Sequence, residues 1–233
     1  MTLGNSQSWE IDNSASNPLT VSGSIGDGTF GYYLNKTGSG ELILSGASTY
    51  SGGTIVSAGT LQLGVTNALL STGALTVNGT GVFDPVSYTH LGATTVDGGT
   101  LELNNSSALS SGTLNFNAGA VTFGPTITTA TLAGLSGGSN SQDLVLQNTA
   151  GSPAAVALTI AGSGSSSYGG ELTGPGSFIK TGTGTQTFTG DSNFAGAVTL
   201  SGPVVIAGGT FGSTTSNFEV GNGVCLLYTS RCV

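Results

Sequence analysis

The feature that most constrains this chain is that it repeats itself. The stretch from Lys36 to Gly64, KTGSGELILSGASTYSGGTIVSAGTLQLG, lies without a gap on KTGTGTQTFTGDSNFAGAVTLSGPVVIAG, residues 180–208. The shift of 144 carries Lys36, Gly38, Gly40, Gly46 and Gly52 onto Lys180, Gly182, Gly184, Gly190 and Gly196. The second half, TIVSAGTLQL from Thr54, lies on TTVDGGTLEL, residues 94–103, and the same shift of 40 carries Ala68 and Leu69 onto Ala108 and Leu109. A fixed internal period points to one stacked array, in which length counts repeats rather than domains.

Within the repeat, apolar residues come in pairs two apart: Leu42 and Leu44, Leu61 and Leu63, Leu75 and Val77. That spacing puts both side chains on one face of a short strand, with the polar residue between them on the other. Gly38, Gly40, Gly46, Gly52, Gly53 and Gly59 separate the pairs and supply the corners. No window carries the i, i+3, i+4 apolar pattern, so the class is all-β. A period of 40 with about six strand-like segments predicts two rungs of about 20 residues, each of three short strands.

The expected architecture is therefore a parallel β-helix of about ten rungs, very roughly 50 Å long. Its inward positions, Leu42, Leu44, Leu61, Leu63, Leu101, Leu103, Leu114 and Phe116, stack on like residues ~4.8 Å away. The array is predicted over residues 1–222, with 223–233 a tail outside the pattern.

Charge narrows the function classes. Only 6% of residues are charged and the net charge is −8, with Lys36, Lys180 and Arg231 the only basic side chains apart from one histidine. No basic patch exists to neutralise phosphates, which excludes nucleic acid as a partner. Both cysteines, Cys225 and Cys232, lie in the last nine residues, so the array is expected to fold without disulfides, as suits an exported protein.

Residues that suggest chemistry are few. His90, the one histidine, falls on Tyr50 at the shift of 40, so it is expected to fill an aromatic position rather than act as a base. No calcium-binding G-G-x-G-x-D, Cys/His zinc cluster or Gly-Lys-Ser/Thr phosphate-loop ending occurs. Glu10 with Asp12, and Asp97 with Glu102, are the nearest acid pairs, and neither is echoed by a neighbouring acid or base. No catalytic residue, metal ligand or cofactor is expected. Tyr50, Tyr168 and Phe194 share one slot of the repeat, with Tyr32 and Tyr33 nearby; such a slot either stacks on sugars or packs a corner. Two segments break the pattern, VSYTHL at 86–91 and VCLLYTSRCV at 224–233. Both resemble translated sequencing-adaptor DNA, which would make His90, Cys225, Arg231 and Cys232 foreign to the repeat.

The motif G-x-L-x-L-S-G-x-x-T-Y-S-G-G-T-x-V-x-x-G-T-L-x-L, from Gly40 to Leu63, resembles the autotransporter-associated β-strand repeat, the passenger-associated transport repeat of bacterial passengers. The copy from Gly184 to Ala207 keeps the spacing, with Phe188, Phe194 and Pro203 at altered positions. The resemblance implies a right-handed β-helix in a secreted or surface-displayed protein, exported through the outer membrane by its own C-terminal translocator barrel. It implies an elongated stalk or adhesin-like scaffold whose further partners are host or matrix glycans or proteins. A carbohydrate-active or glycan-binding β-helix module is the alternative. The start of the chain lacks the basic and apolar regions of a signal peptide and no barrel follows, so the chain reads as a fragment of a longer protein.

Overall fold

The computed structural model describes residues 1–14, 16–85, 92–139, 142–213 and 216–221, together with the backbone of the strand Leu226–Tyr228. Every strand pairing between its named strands is parallel, and no helix occurs among the described residues. The chain winds as a β-solenoid of about ten turns, as its period predicts.

Each turn visits three sides. The first side begins with Gln7–Glu10 and continues through Leu34–Thr37, Thr54–Val56, Leu75–Val77 and the start of Thr94–Leu103. It passes through the middle of Leu109–Phe123 and Leu135, then Ser166–Tyr168, Gln186–Phe188, Val204–Ile206 and Leu226–Tyr228. The second side holds Leu19–Val21, Glu41–Leu44, Thr60–Leu63 and Val82–Asp84, and later Asp143–Val145, Glu171–Gly174 and Asn193–Phe194. The third side differs along the rod. Toward the N-terminal end it is made of turns, tied by single contacts such as Thr49 N–H to Ile25 O at 2.7 Å. From Leu109 onward it becomes a strand stack that includes Ala157–Ile160, Ser177–Lys180, Val198–Leu200 and Phe218–Val220.

The Cα register shows why the period is 40. Thr54 lies beside Leu75, which lies beside Thr94, so one period is two turns on the first side. All eight predicted inward residues are buried, and they stack in columns such as Leu42, Leu61 and Phe83. Each column is continuous apolar surface along the axis, the dominant stabilising contribution in a fold with so few charges. Corners demand close approach of one turn to the next. At Gly59, with φ +62°, an added Cβ would stand 2.3 Å from the carbonyl oxygen of Gly40 one turn away, and no side chain fits there.

The shift of 144 does something the shift of 40 does not. Lys36 lies on the first side and Lys180 on the third, six turns and two sides further along. The two best copies of the motif are thus out of phase by one side of the solenoid. Long excursions before Asp143–Val145 and before Ala157–Ile160 lengthen the intervening turns: Thr129 pairs with Ala157, a step of 28. The sides are interchangeable because the motif specifies corners and inward pairs, not a position around the axis.

Two buried amides repair the ladder around those excursions. Gln186 donates from Nε2 to Leu135 O (2.9 Å) and accepts at Oε1 from Leu135 N–H (3.2 Å) and Ser166 Oγ (2.6 Å). Asn148 donates to Pro125 O and Ile127 O and accepts from Ala154 N–H at 2.8 Å.

Candidate functional site

The residues of the aromatic slot are on three different sides. Tyr50 follows Thr49 on the third side, Tyr168 closes a first-side strand, and Phe194 lies on the second. Their exposures are 2%, 0% and 0%, so all three rings lie inside the solenoid. The Tyr50 hydroxyl is 2.7 Å from Thr54 Oγ1, and Tyr168 donates to Gln142 O at 3.1 Å. Burial pushes both phenols well above their ordinary range. Phe194 meets Phe211 edge-on at 5.2 Å, and Phe211 also packs against Phe178 and Phe188. These rings come from all three sides and fill the interior near the last described turns.

One acid of each pair is engaged by a neighbouring turn. Asp12 accepts from Ser39 N–H at 2.8 Å, and Asp97 accepts from Asn117 Nδ2 at 2.7 Å. Glu10 and Asp12 flank Ile11 on an open groove at the N-terminal end. Among the described residues no three His, Cys, Asp or Glu side chains gather as a metal site. His90, Cys225, Arg231 and Cys232 lie outside the described residues.

Both lysines are in the core. Lys36 pairs in register with Val56, and Lys180 with Ile160 and Leu200, so each aliphatic stem continues an apolar column. The Lys36 ammonium turns to the corner and donates to Thr37 O (2.9 Å), Gly38 O (2.9 Å) and, one turn on, Ala58 O (3.1 Å). Lys180 donates to Gly182 O, the matching carbonyl of its own copy. Desolvation lowers both lysines from their usual value, and for Lys36 the nearby Asp12 charge works the other way. Each ammonium satisfies carbonyls at a tight corner, and Lys36 shares Thr37 O with the Ile11 N–H, which donates to it at 3.0 Å.

One corner departs from the rest. From Ile25 to Leu34 the chain takes nine residues, whereas the stacked segment of the next turn, Thr49 to Thr54, takes five. The longer corner is organised by Asp27, a residue 1% exposed. It accepts from Thr29 N–H (3.0 Å), Gly31 N–H (3.0 Å), Tyr32 N–H (3.2 Å), Ser51 N–H (2.9 Å) and Ser51 Oγ (3.0 Å). The Ser51 N–H, aided by its hydroxyl and the other amides, outweighs desolvation and holds this carboxyl at about 2. Thr29 is held at φ 73°, unusual for a β-branched residue. The corner carries Phe30, 73% exposed, stacked on Tyr32 with ring centroids 5.6 Å apart and planes at 23°. Tyr33 follows, 42% exposed.

With the corners in place, likeness to known proteins becomes interpretable. The passenger-associated-transport-repeat family matches residues 34–63 and 178–211. Both segments are thus similar to the passenger-associated transport repeat. No match was found among curated proteins or among solved structures. Each repeat opens on the strand that carries the buried lysine and runs for more than one turn, so each contains the complete lysine corner. The Asp27 corner precedes the first repeat and lies outside both matches. Two such repeats in one continuous solenoid support a passenger-like repeat region.

Proposed function

We propose that this chain is the elongated structural section of an autotransporter passenger. It is carried across the outer membrane with the help of a C-terminal translocator barrel of the same polypeptide and stands at the cell surface or outside the cell as a stalk. The observation that carries this reading is the pair of passenger-associated transport repeats built into an uninterrupted parallel solenoid.

Physical features support it. Each turn contacts mainly its neighbours, so stability accumulates turn by turn and folding propagates along the axis as chain becomes available. Residues 1–222 hold no cysteine, so no disulfide has to form during passage. A surface with 6% charged residues and many hydroxyls offers long reach with little electrostatic attraction to other surfaces.

The test is to place the chain between a signal peptide and a translocator barrel in a Gram-negative host and add external protease. Cleavage of the chain in intact cells, with a periplasmic marker protected, is the expected result. Retention inside the outer membrane while a known passenger on the same barrel is displayed would overturn the reading.

A further inference from the structure

We propose that the Asp27 corner is a glycan-binding site, with Phe30 stacking on the apolar face of a neutral pyranose and Tyr32 backing the ring. The proposal does not depend on export, since it rests on the corner alone.

An exposed phenylalanine is by itself ordinary. Here it sits on a corner longer than that of the following turn, and the added residues are fixed by a buried carboxylate with five donors. The ring is backed by Tyr32, and it lies close over Gly28, where an added Cβ would stand 3.3 Å from Phe30 Cε2. A ring already held in place loses little conformational freedom on binding, which is how a small contact becomes a usable one. Its surroundings select the ligand. Thr29, Tyr33 and Asn5 are exposed hydroxyl and amide side chains, and Ser6 Oγ accepts the Tyr33 N–H at 3.2 Å, which puts the Asn5–Ser6 segment beside the corner. Among the described residues both lysines are buried, and the Met1 ammonium is bonded to Ser24 O at 2.8 Å. An aromatic plane rimmed by hydroxyls, with no exposed lysine or arginine side chain among the described residues, suits an uncharged sugar better than a uronate, sulfate or phosphate.

The test is affinity electrophoresis of the full chain in gels containing hydroxyethyl cellulose, xyloglucan, galactomannan or mannan, with polygalacturonate as the charged control. At least one neutral polymer should retard the chain and polygalacturonate should not. Phe30→Ala should weaken the retardation about tenfold, the scale of one lost aromatic contact, without shifting thermal unfolding. Phe30→Leu keeps apolar bulk but not a flat ring, and should lose binding equally. Should Phe30→Ala fail to fold, Phe30→Leu decides alone. No retardation by any neutral polymer, equal retardation of both variants, or Phe30-dependent binding to phosphatidylcholine vesicles instead would each overturn the proposal.

Discussion

The side chain of Gln186 makes both backbone hydrogen bonds of Leu135, 51 residues earlier, as a neighbouring strand would. It is fully buried and also accepts from Ser166 Oγ, so one amide joins three successive turns on the first side. Gln186→Leu keeps the approximate volume and removes every one of those bonds. The expected cost is about 2–4 kcal/mol, because a buried N–H and C=O lose their partners together. Urea unfolding, followed with hydrogen exchange at Leu135, checks it; an unchanged midpoint would show that Leu135 finds other partners.

Lys36 makes a pH-dependent prediction. Its folded pKa lies below 10.5, so between that lowered value and 10.5 the unfolded chain binds more protons than the folded one. Stability should therefore rise as pH climbs toward 10.5, and Lys36→Met should flatten that rise. At neutral pH Lys36→Met removes the ammonium donor from Gly38 O and Ala58 O, while Thr37 O keeps the Ile11 N–H, and Lys36→Ala adds a cavity, for about 2–4 kcal/mol in the alanine variant. Denaturation midpoints at two alkaline pH values and at pH 7 separate the two effects.

Asp27 predicts the opposite window. Its folded pKa is about 2 against an ordinary 3.8, so its contribution is complete above about pH 4 and is lost as pH falls toward 2. Asp27→Asn substitutes an amide for an acceptor that serves Gly31, Tyr32 and Ser51, and should expose the 27–33 corner to protease at neutral pH. Limited proteolysis with mass mapping of the cut site reads this directly. Equal protease resistance in the variant would show that the corner holds without its carboxylate.

Phe211 is the hub of the ring cluster that includes Phe178, Phe188 and Phe194. Phe211→Ala should cost about 3–5 kcal/mol. The loss should fall on the C-terminal turns first, since a solenoid is stabilised between neighbours. Hydrogen exchange that accelerates around 178–206 while 34–63 is unaffected is the expected pattern.

How much of this was legible in the sequence follows from how local each feature is. Leu42 with Leu44 and Leu61 with Leu63 announced inward pairs, and the structure buries all four. The register step from Thr54 to Thr94 likewise followed from the period. The burial of Lys36 is also written locally: it lies two residues after Leu34, on the inward period-2 position of its strand, and it matches Lys180 at the shift of 144. Asp27 could not have been read, because its donors come from its own corner and from Ser51, which only folding brings close. The phase slip between the repeats was equally hidden, since identical strand patterns serve all three sides.

That slip has a consequence for how such rods diversify. Each segment matched by the passenger-associated transport repeat spans more than one turn, so inserting or deleting a copy need not restore the original heading. Every loop beyond the change is then aimed at a new bearing around the axis, as steps are on a spiral stair. A lineage that duplicates these units can thus redirect whatever it displays without altering a single displayed residue.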